Sequence, residues 1–262
     1  MPQLPEERLD TFSGDAVTDL LANVALGQIP DAQLVYIFGH TDAIASGTTA
    51  VLWPPDGALS NTGIFPLNPV SCYISSASVA DVGNVFKVTV LDANYDVKEY
   101  GVTLNGRTAI ALPIQVRRVV SIENMGSTAI VGNVYAGTEA VPALGVPAKI
   151  NTLNMVLVED QISHTAAYTV PAGYVLLVHE FGGGTPTADS IRINALISNP
   201  GTSVFKVGMH LATYRTTVTQ RAAYFPLAEK TDLYLSATAY TNNTEAYGFI
   251  FGTLLPAHYM KT

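Results

Sequence analysis

Cysteine and clustered positive charge are what this 262-residue chain has least of. The single cysteine, Cys72, excludes an internal disulfide framework and leaves no thiol pair for metal or redox work. Beside Tyr73 it reads as a small buried residue, with an intermolecular role left open. Lys and Arg number 13 against 21 Asp and Glu, a formal net charge of −8, and only Arg117 and Arg118 adjoin. Nucleic-acid binding needs grouped bases that displace counterions, so no nucleic-acid partner is expected. Long apolar runs are also missing, which argues against a bilayer-crossing helix and a membrane partner. The opening Met1-Pro-Gln-Leu-Pro-Glu-Glu-Arg8 lacks the basic start and apolar core of a signal peptide, so synthesis in a cytoplasm without export is the expectation.

Motifs for catalysis are scarce as well. His40 with Asp42, His179 with Glu180, His164, His210 and His258 stand at no metal-ligand spacing. On a strand, His179 and Glu180 are expected on opposite faces, unable to share an ion. There is no Gly-x-Ser-x-Gly elbow. The tract Phe181-Gly-Gly-Gly-Thr185 is followed by no Gly-Lys-Ser/Thr and reads as a flexible connection between strands. Asp92 and Asp96 flank a turn, and Glu6 and Glu7 sit near the terminus, so paired-carboxylate chemistry is unsupported. The expectation is a non-enzymatic protein with no cofactor and no metal.

What the chain does have is apolar surface. Hydrophobic residues make up 48% and charged residues 13%, the latter about half the share usual in a soluble domain. Such a chain hides its excess in a subunit interface or presents a Ser/Thr/Asn/Gly surface. Tyrosine outnumbers phenylalanine 13 to 9, with one tryptophan, a mix suited to rings buried at one end and wet at the other.

The fold expected is all-β: two β-sandwich, jelly-roll-like domains preceded by a short helical arm. Residues 1–32 form the arm, capped by Ser13 or Asp15 and stopped by Gly27 and Pro30, with Val17, Leu20, Leu21 and Val24 on one apolar face. That face packs either on the chain's own sandwich or on a neighbouring subunit. From Gln33 the period becomes two, placing a first sandwich at 33–150 and a second at 151–262. Strands are expected at 48–52, 72–76, 85–91, 99–104, 108–112, 116–123 and 130–135. A second set falls at 154–159, 165–170, 174–181, 190–198, 205–213, 218–225, 232–239 and 246–255. Asp92-Ala-Asn-Tyr-Asp96 predicts a hairpin loop, Leu104-Asn-Gly-Arg107 a type I′ turn, and Asn242-Asn243 a further turn. The Pro- and Gly-containing stretch 137–147 reads as the connector between sandwiches, and Trp53, before Pro54-Pro55, as a cap on the first.

A resemblance rests on Val90-Leu-Asp-Ala-Asn-Tyr-Asp-Val-Lys-Glu-Tyr-Gly-Val-Thr-Leu-Asn-Gly-Arg-Thr108, Val116-Arg-Arg-Val-Val120, Asn124-Met-Gly-Ser127, Gly132-Asn-Val-Tyr-Ala-Gly137 and Ala167-Tyr-Thr-Val-Pro-Ala-Gly173. These blocks, within roughly residues 85 to 175, resemble virion structural proteins of tailed bacteriophages, of the head decoration, cement or head-fibre type. The resemblance implies β-sandwich domains, frequently trimeric, on the outside of an icosahedral head. The expected function is therefore a capsid decoration or cement protein of the virion, a homo-oligomer, with the major capsid protein as partner. The alternative is a tail-fibre or adhesin module, with Tyr234, Tyr240 and Tyr247 facing host glycans.

Overall fold

The computed structural model describes residues 16–53, 64–186, 189–202, 204–214, 217–241 and 244–260. Ser13, Asp15, Glu6, Glu7, Pro54-Pro55 and Asn242-Asn243 lie outside them. The helix, α1 (Ala16–Ala25), ends where expected. Gly27 has φ +67, and the Gly27 and Gln28 amides donate to Val24 O and Asn23 O at 3.0 and 2.8 Å. This is the paired-bond Schellman end that a glycine in the left-handed region permits.

Antiparallel strands make up most of the rest of the described chain. In chain order these are β1 (Gln33–Ile44), β2 (Thr49–Val51), β3 (Val70–Ser76), β4 (Val82–Asp92), β5 (Val97–Asn105), β6 (Ile110–Asn124), β7 (Val134–Gly137) and β8 (Thr152–Val156). Then follow β9 (Ala167–Thr169), β10 (Tyr174–Gly184), β11 (Ser190–Ser198), β12 (Phe205–Tyr214), β13 (Val218–Leu227), β14 (Asp232–Ala239) and β15 (Thr244–Pro256). They form three sheets. An outer sheet has the order β1-β15-β10-β13, a middle sheet β12-β11-β14-β2 with β9 also on β14, and a third sheet β5-β4-β6-β3-β7-β8.

Outer and middle sheets make a sandwich around Phe181, Leu176, Ile191, Ile193, Leu235 and Ile250. The third sheet curls on itself around a separate core that includes Phe86, Val88, Ile122 and Ile74. Its curl shows in contacts that skip strands: the Asn154 amide on β8 donates to Val119 O on β6 at 3.1 Å, and Ser76 N on β3 to Gly106 O at 2.9 Å. One unit is thus a sandwich and the other a rolled single sheet.

Several sequence expectations change in detail. Residues 33–52, read with the first sandwich, pair with the C-terminal half: β1 runs against β15 from Gln33↔Leu254 to Thr41↔Ala246, and β2 against β14. The curled sheet is therefore an excursion between β2 and β9, because strand alternation marks a buried face and not a pairing partner. Residues 137–147 do not lead out of that sheet. They fold back over β3, where the Ser75 hydroxyl donates to Gly145 O at 2.9 Å.

Strands expected at 108–112 and 116–123 are one strand, β6. Pro113 falls at its register shift against β3, where a missing N–H costs no ladder bond. Gly182 to Gly184 stay inside β10, not in a connection. A side chain at Gly182 would meet the Phe249 ring, and one at Gly183 Ile193 and the Tyr247 carbonyl, so these glycines serve close approach. At Asn105-Gly106 only Gly106 has positive φ, +56. With Thr108 N bonded to Asn105 O, glycine takes the first central position, and the type I′ pair is not formed. The Asp92 loop is as expected: its Oδ1 accepts from Asn94 N and Asp96 N at 2.8 and 3.1 Å.

A buried ion pair ties the curled sheet to the sandwich. Arg118 on β6 reaches Asp232 at the start of β14, Nε to Oδ1 at 2.9 Å and Nη2 to Oδ2 at 2.5 Å. Thr169 on β9 accepts from Nε at 2.9 Å and donates to Asp232 at 2.6 Å. Nη1 donates to Pro66 O and Arg117 O, and the guanidinium lies 5.0 Å from the Phe65 ring centroid. Around this pair Trp53, Phe65, Tyr135, Met155 and Tyr234 form the junction core, so Trp53 is a junction residue and not an end cap.

Two outcomes follow from these contacts. Arg118→Ala, which leaves Asp232 buried and unpaired, is expected to cost about 3–5 kcal/mol in urea unfolding, and Arg118→Met with Asp232→Leu to recover most of it. Cys72 is 1% exposed, and burial pushes its thiol up to about 12. Iodoacetamide at neutral pH is expected to label it only after denaturation.

Candidate interaction surface

The outward face of the outer sheet carries a ribbon of aromatic rings. Ile37 on β1 and Ala246, Ile250 and Leu254 on β15 enter the sandwich core. The alternate residues, Leu34, Tyr36, Phe38 and His40 on β1 and Tyr247, Phe249 and Phe251 on β15, therefore face away. Direct register sets Tyr36 opposite Phe251, Phe38 opposite Phe249 and His40 opposite Tyr247. Tyr36 and Phe38 rings lie 6.5 Å apart and nearly parallel, and Tyr36 stacks on Phe249 diagonally at 5.9 Å. His164 meets Phe38 edge-on at 6.0 Å. The Phe249 ring lies where a side chain on Gly182 would be. Tyr36 stays 64% exposed.

One end of this face is covered. Leu20 and Val24 of α1 are buried on Leu177 of β10 and Leu255 of β15, beside Val175. Leu21 is half-buried, and Val17 lies in the first turn of α1. The helical arm thus packs on its own chain and leaves the aromatic ribbon beside it open.

Between cover and ribbon, β10 carries a β-bulge at 178–180, where both His179 and Glu180 oppose the one stretch of β15 around Phe251. The two side chains consequently share the outward face, contrary to the strand-alternation expectation. His179 Nε2 and the Thr253 hydroxyl are 2.6 Å apart, and its ring lies 5.8 Å from Phe251. Burial holds the imidazole below its ordinary value. The Tyr36 hydroxyl is raised, first by partial burial and then by the Glu180 charge.

The other predicted residues scatter. Asp232 and Tyr234 of β14 point at the junction with the curled sheet, so Tyr234 is 6% exposed, with its ring 4.9 Å from Phe205 and 6.0 Å from Phe65. It cannot face a glycan. Tyr240 is exposed after β14, while Tyr247 is on the outer-sheet face with its hydroxyl on Thr217; the three tyrosines form no common platform. His40 and Asp42 approach to 4.0 Å at the surface. Among the described residues no three His, Cys, Asp or Glu side chains are grouped to hold a metal ion, and no helix is long and apolar enough to cross a membrane. The ribbon's signal in the sequence is the aromatic alternation at 36, 38 and 247, 249, 251, which becomes a surface only when β1 meets β15.

No family model and no curated protein matches the chain. Solved structures give only faint similarity. The structure of infectious bursal disease virus Gt strain is 11% identical at TM-score 0.22, over 90% of this chain and 76% of that one. The VP2 subviral particle of infectious bursal disease virus is 9% identical at TM-score 0.22, over 91% and 78%. At these scores the overlap carries no structural argument.

The lowered His179 sets a sign for pH. The unfolded imidazole takes up a proton near 6.5, whereas the folded one resists it. Its contribution is fully present above that pH and is lost as pH falls through the lower folded value. Thermal unfolding between pH 7.5 and about pH 5 is expected to show this loss, and His179→Gln to flatten it.

Proposed function

We propose that this chain is a virion structural protein of a tailed bacteriophage, a decoration or cement protein that lies on the outer surface of the head and stabilises the assembled shell. The observation that carries the reading is the open aromatic face of the outer sheet. Rings on a rigid antiparallel sheet give large contact area at little entropic cost, which suits a permanent protein contact. The phage assignment draws on the resemblance of the blocks between residues 85 and 175. In this reading the partner is the major capsid protein and the chain acts without catalysis, as a homo-oligomer of trimeric type. A ligand that binds only the assembled shell stabilises it by mass action.

A second reading, a host-glycan adhesin, keeps one favourable feature: Tyr36 is an exposed ring beside the Glu180 carboxylate.

The test is co-sedimentation with purified heads that lack the protein. Wild type is expected to bind assembled heads in many copies, to leave free capsid subunits unbound and to raise the temperature at which heads open. Tyr36→Glu, at an exposed position, is expected to reduce binding without altering the circular dichroism spectrum. Restriction to the tail in low copy number would sink the decoration reading. Glycan-array binding lost in Tyr36→Ala would establish the adhesin instead.

A further inference from the structure

The junction between the sandwich and the curled sheet contains a small cavity, about 10 Å³ in volume. Trp53, just after β2, and Thr165 and Tyr168, at the start of β9, line it on one side. Val120 on β6 and Asn154 on β8 line it on the other.

Two side chains of this wall carry polar atoms that the fold leaves unused. Trp53 is 2% exposed, and among the described residues its buried Nε1 has no hydrogen-bond acceptor. Ile64, Phe65 and Met155, which pack with it in the junction core, offer no side-chain oxygen. The Thr165 hydroxyl, on a half-buried residue, likewise makes no hydrogen bond among the described residues. Neighbouring polar groups are already engaged. Asn154 gives its Nδ2 to Val119 O at 3.1 Å and accepts from Met155 N at 2.7 Å, and the Thr169 hydroxyl serves Arg118 and Asp232. Tyr168 packs its ring on the sandwich core. On the curled-sheet side, Val120 is the extra residue of a β-bulge, without a partner in the register with β4.

We infer that this cavity is a binding site for one water molecule, which accepts from the Trp53 indole N–H and donates to the Thr165 hydroxyl. Size sets the class of ligand. Roughly 10–15 Å³ is the least that admits a water, so nothing larger fits. Polarity sets the occupancy: purely apolar cavities stay dry even when larger, whereas a buried water is held where two or more polar groups meet it. Buried donors in folded proteins almost always find a partner, and leaving the indole N–H without one would cost its full desolvation. The water's second hydrogen can reach the main chain at Val120, which would join the segments beside β2 and β9 to β6 independently of the Arg118 and Asp232 pair.

Nuclear magnetic resonance on the isotope-labelled full chain tests the site, because Trp53 is the single tryptophan and gives one indole resonance. The indole proton is expected to show an Overhauser cross-peak to water with the sign of a long-lived contact, not of chemical exchange. Thr165→Val, which removes the hydroxyl at little change in size, is expected to abolish that cross-peak and shift the Trp53 emission to the blue with an unchanged circular dichroism spectrum. Thr165→Ser, which keeps the hydroxyl, is expected to retain both signals. A wild-type indole proton without the water cross-peak would overturn the site, as would contacts from that proton to residues 54–63 in place of water. A folded Thr165→Val that keeps the cross-peak at full intensity would overturn it too. Should Thr165→Val fail to fold, the wild-type cross-peak and its retention in Thr165→Ser decide the matter.

Discussion

The contact between Arg118 and Asp232 is the constraint on which the molecule's arrangement depends. Two buried charges are costly unless each finds its partner and every remaining donor is used. Here the carboxylate is met twice by the guanidinium and once by Thr169, and the other guanidinium nitrogen takes two backbone carbonyls. That geometry fixes β6 of the curled sheet against β9 and β14 of the sandwich. It also makes β14 a strand buried on both faces, its odd residues in the sandwich core and Tyr234 in the junction.

Among the described residues, the outer sheet and the loop end of the curled sheet both expose apolar side chains, and they differ in chemistry. The outer sheet, on the far side of the sandwich core from the middle sheet, offers open aromatic rings beside an aliphatic end covered by the chain's own helix. The loop end of the curled sheet offers aliphatic side chains, Val141 and Leu144 among them, on a backbone that holds Leu144 at φ +55. The low charge of the chain has its physical counterpart in these two patches and in a core split among several clusters.

Much of the fold was legible locally. Turn chemistry at Asp92 and Gly27, the apolar stripe of α1 and the two-residue alternation of most strands depend on interactions within a few residues. Pairing partners were not legible, since β1 alternates in the same way whether it meets its neighbour or β15. The candidate surface was hidden for the same reason: Tyr36 and Phe249 become neighbours only through that pairing. Leu20 and Val24 of the apolar stripe are buried, but what they cover could not be read from the stripe. For Tyr234 a sugar-facing and a core position were both open, because alternation says only that a strand has two faces, and the packing of a second sheet buries it.

The sequence by itself determined an all-β chain with a short helical start and no recognisable catalytic motif, because those properties follow from residue period, turn residues and the absence of particular spacings. Tertiary structure alone decided which strands closed the sandwich, that a bulge would turn His179 and Glu180 to one side, and that Arg118 would be a buried tie. Each of these depends on partners more than 50 residues away in the chain, and alternation carries no address for a distant partner.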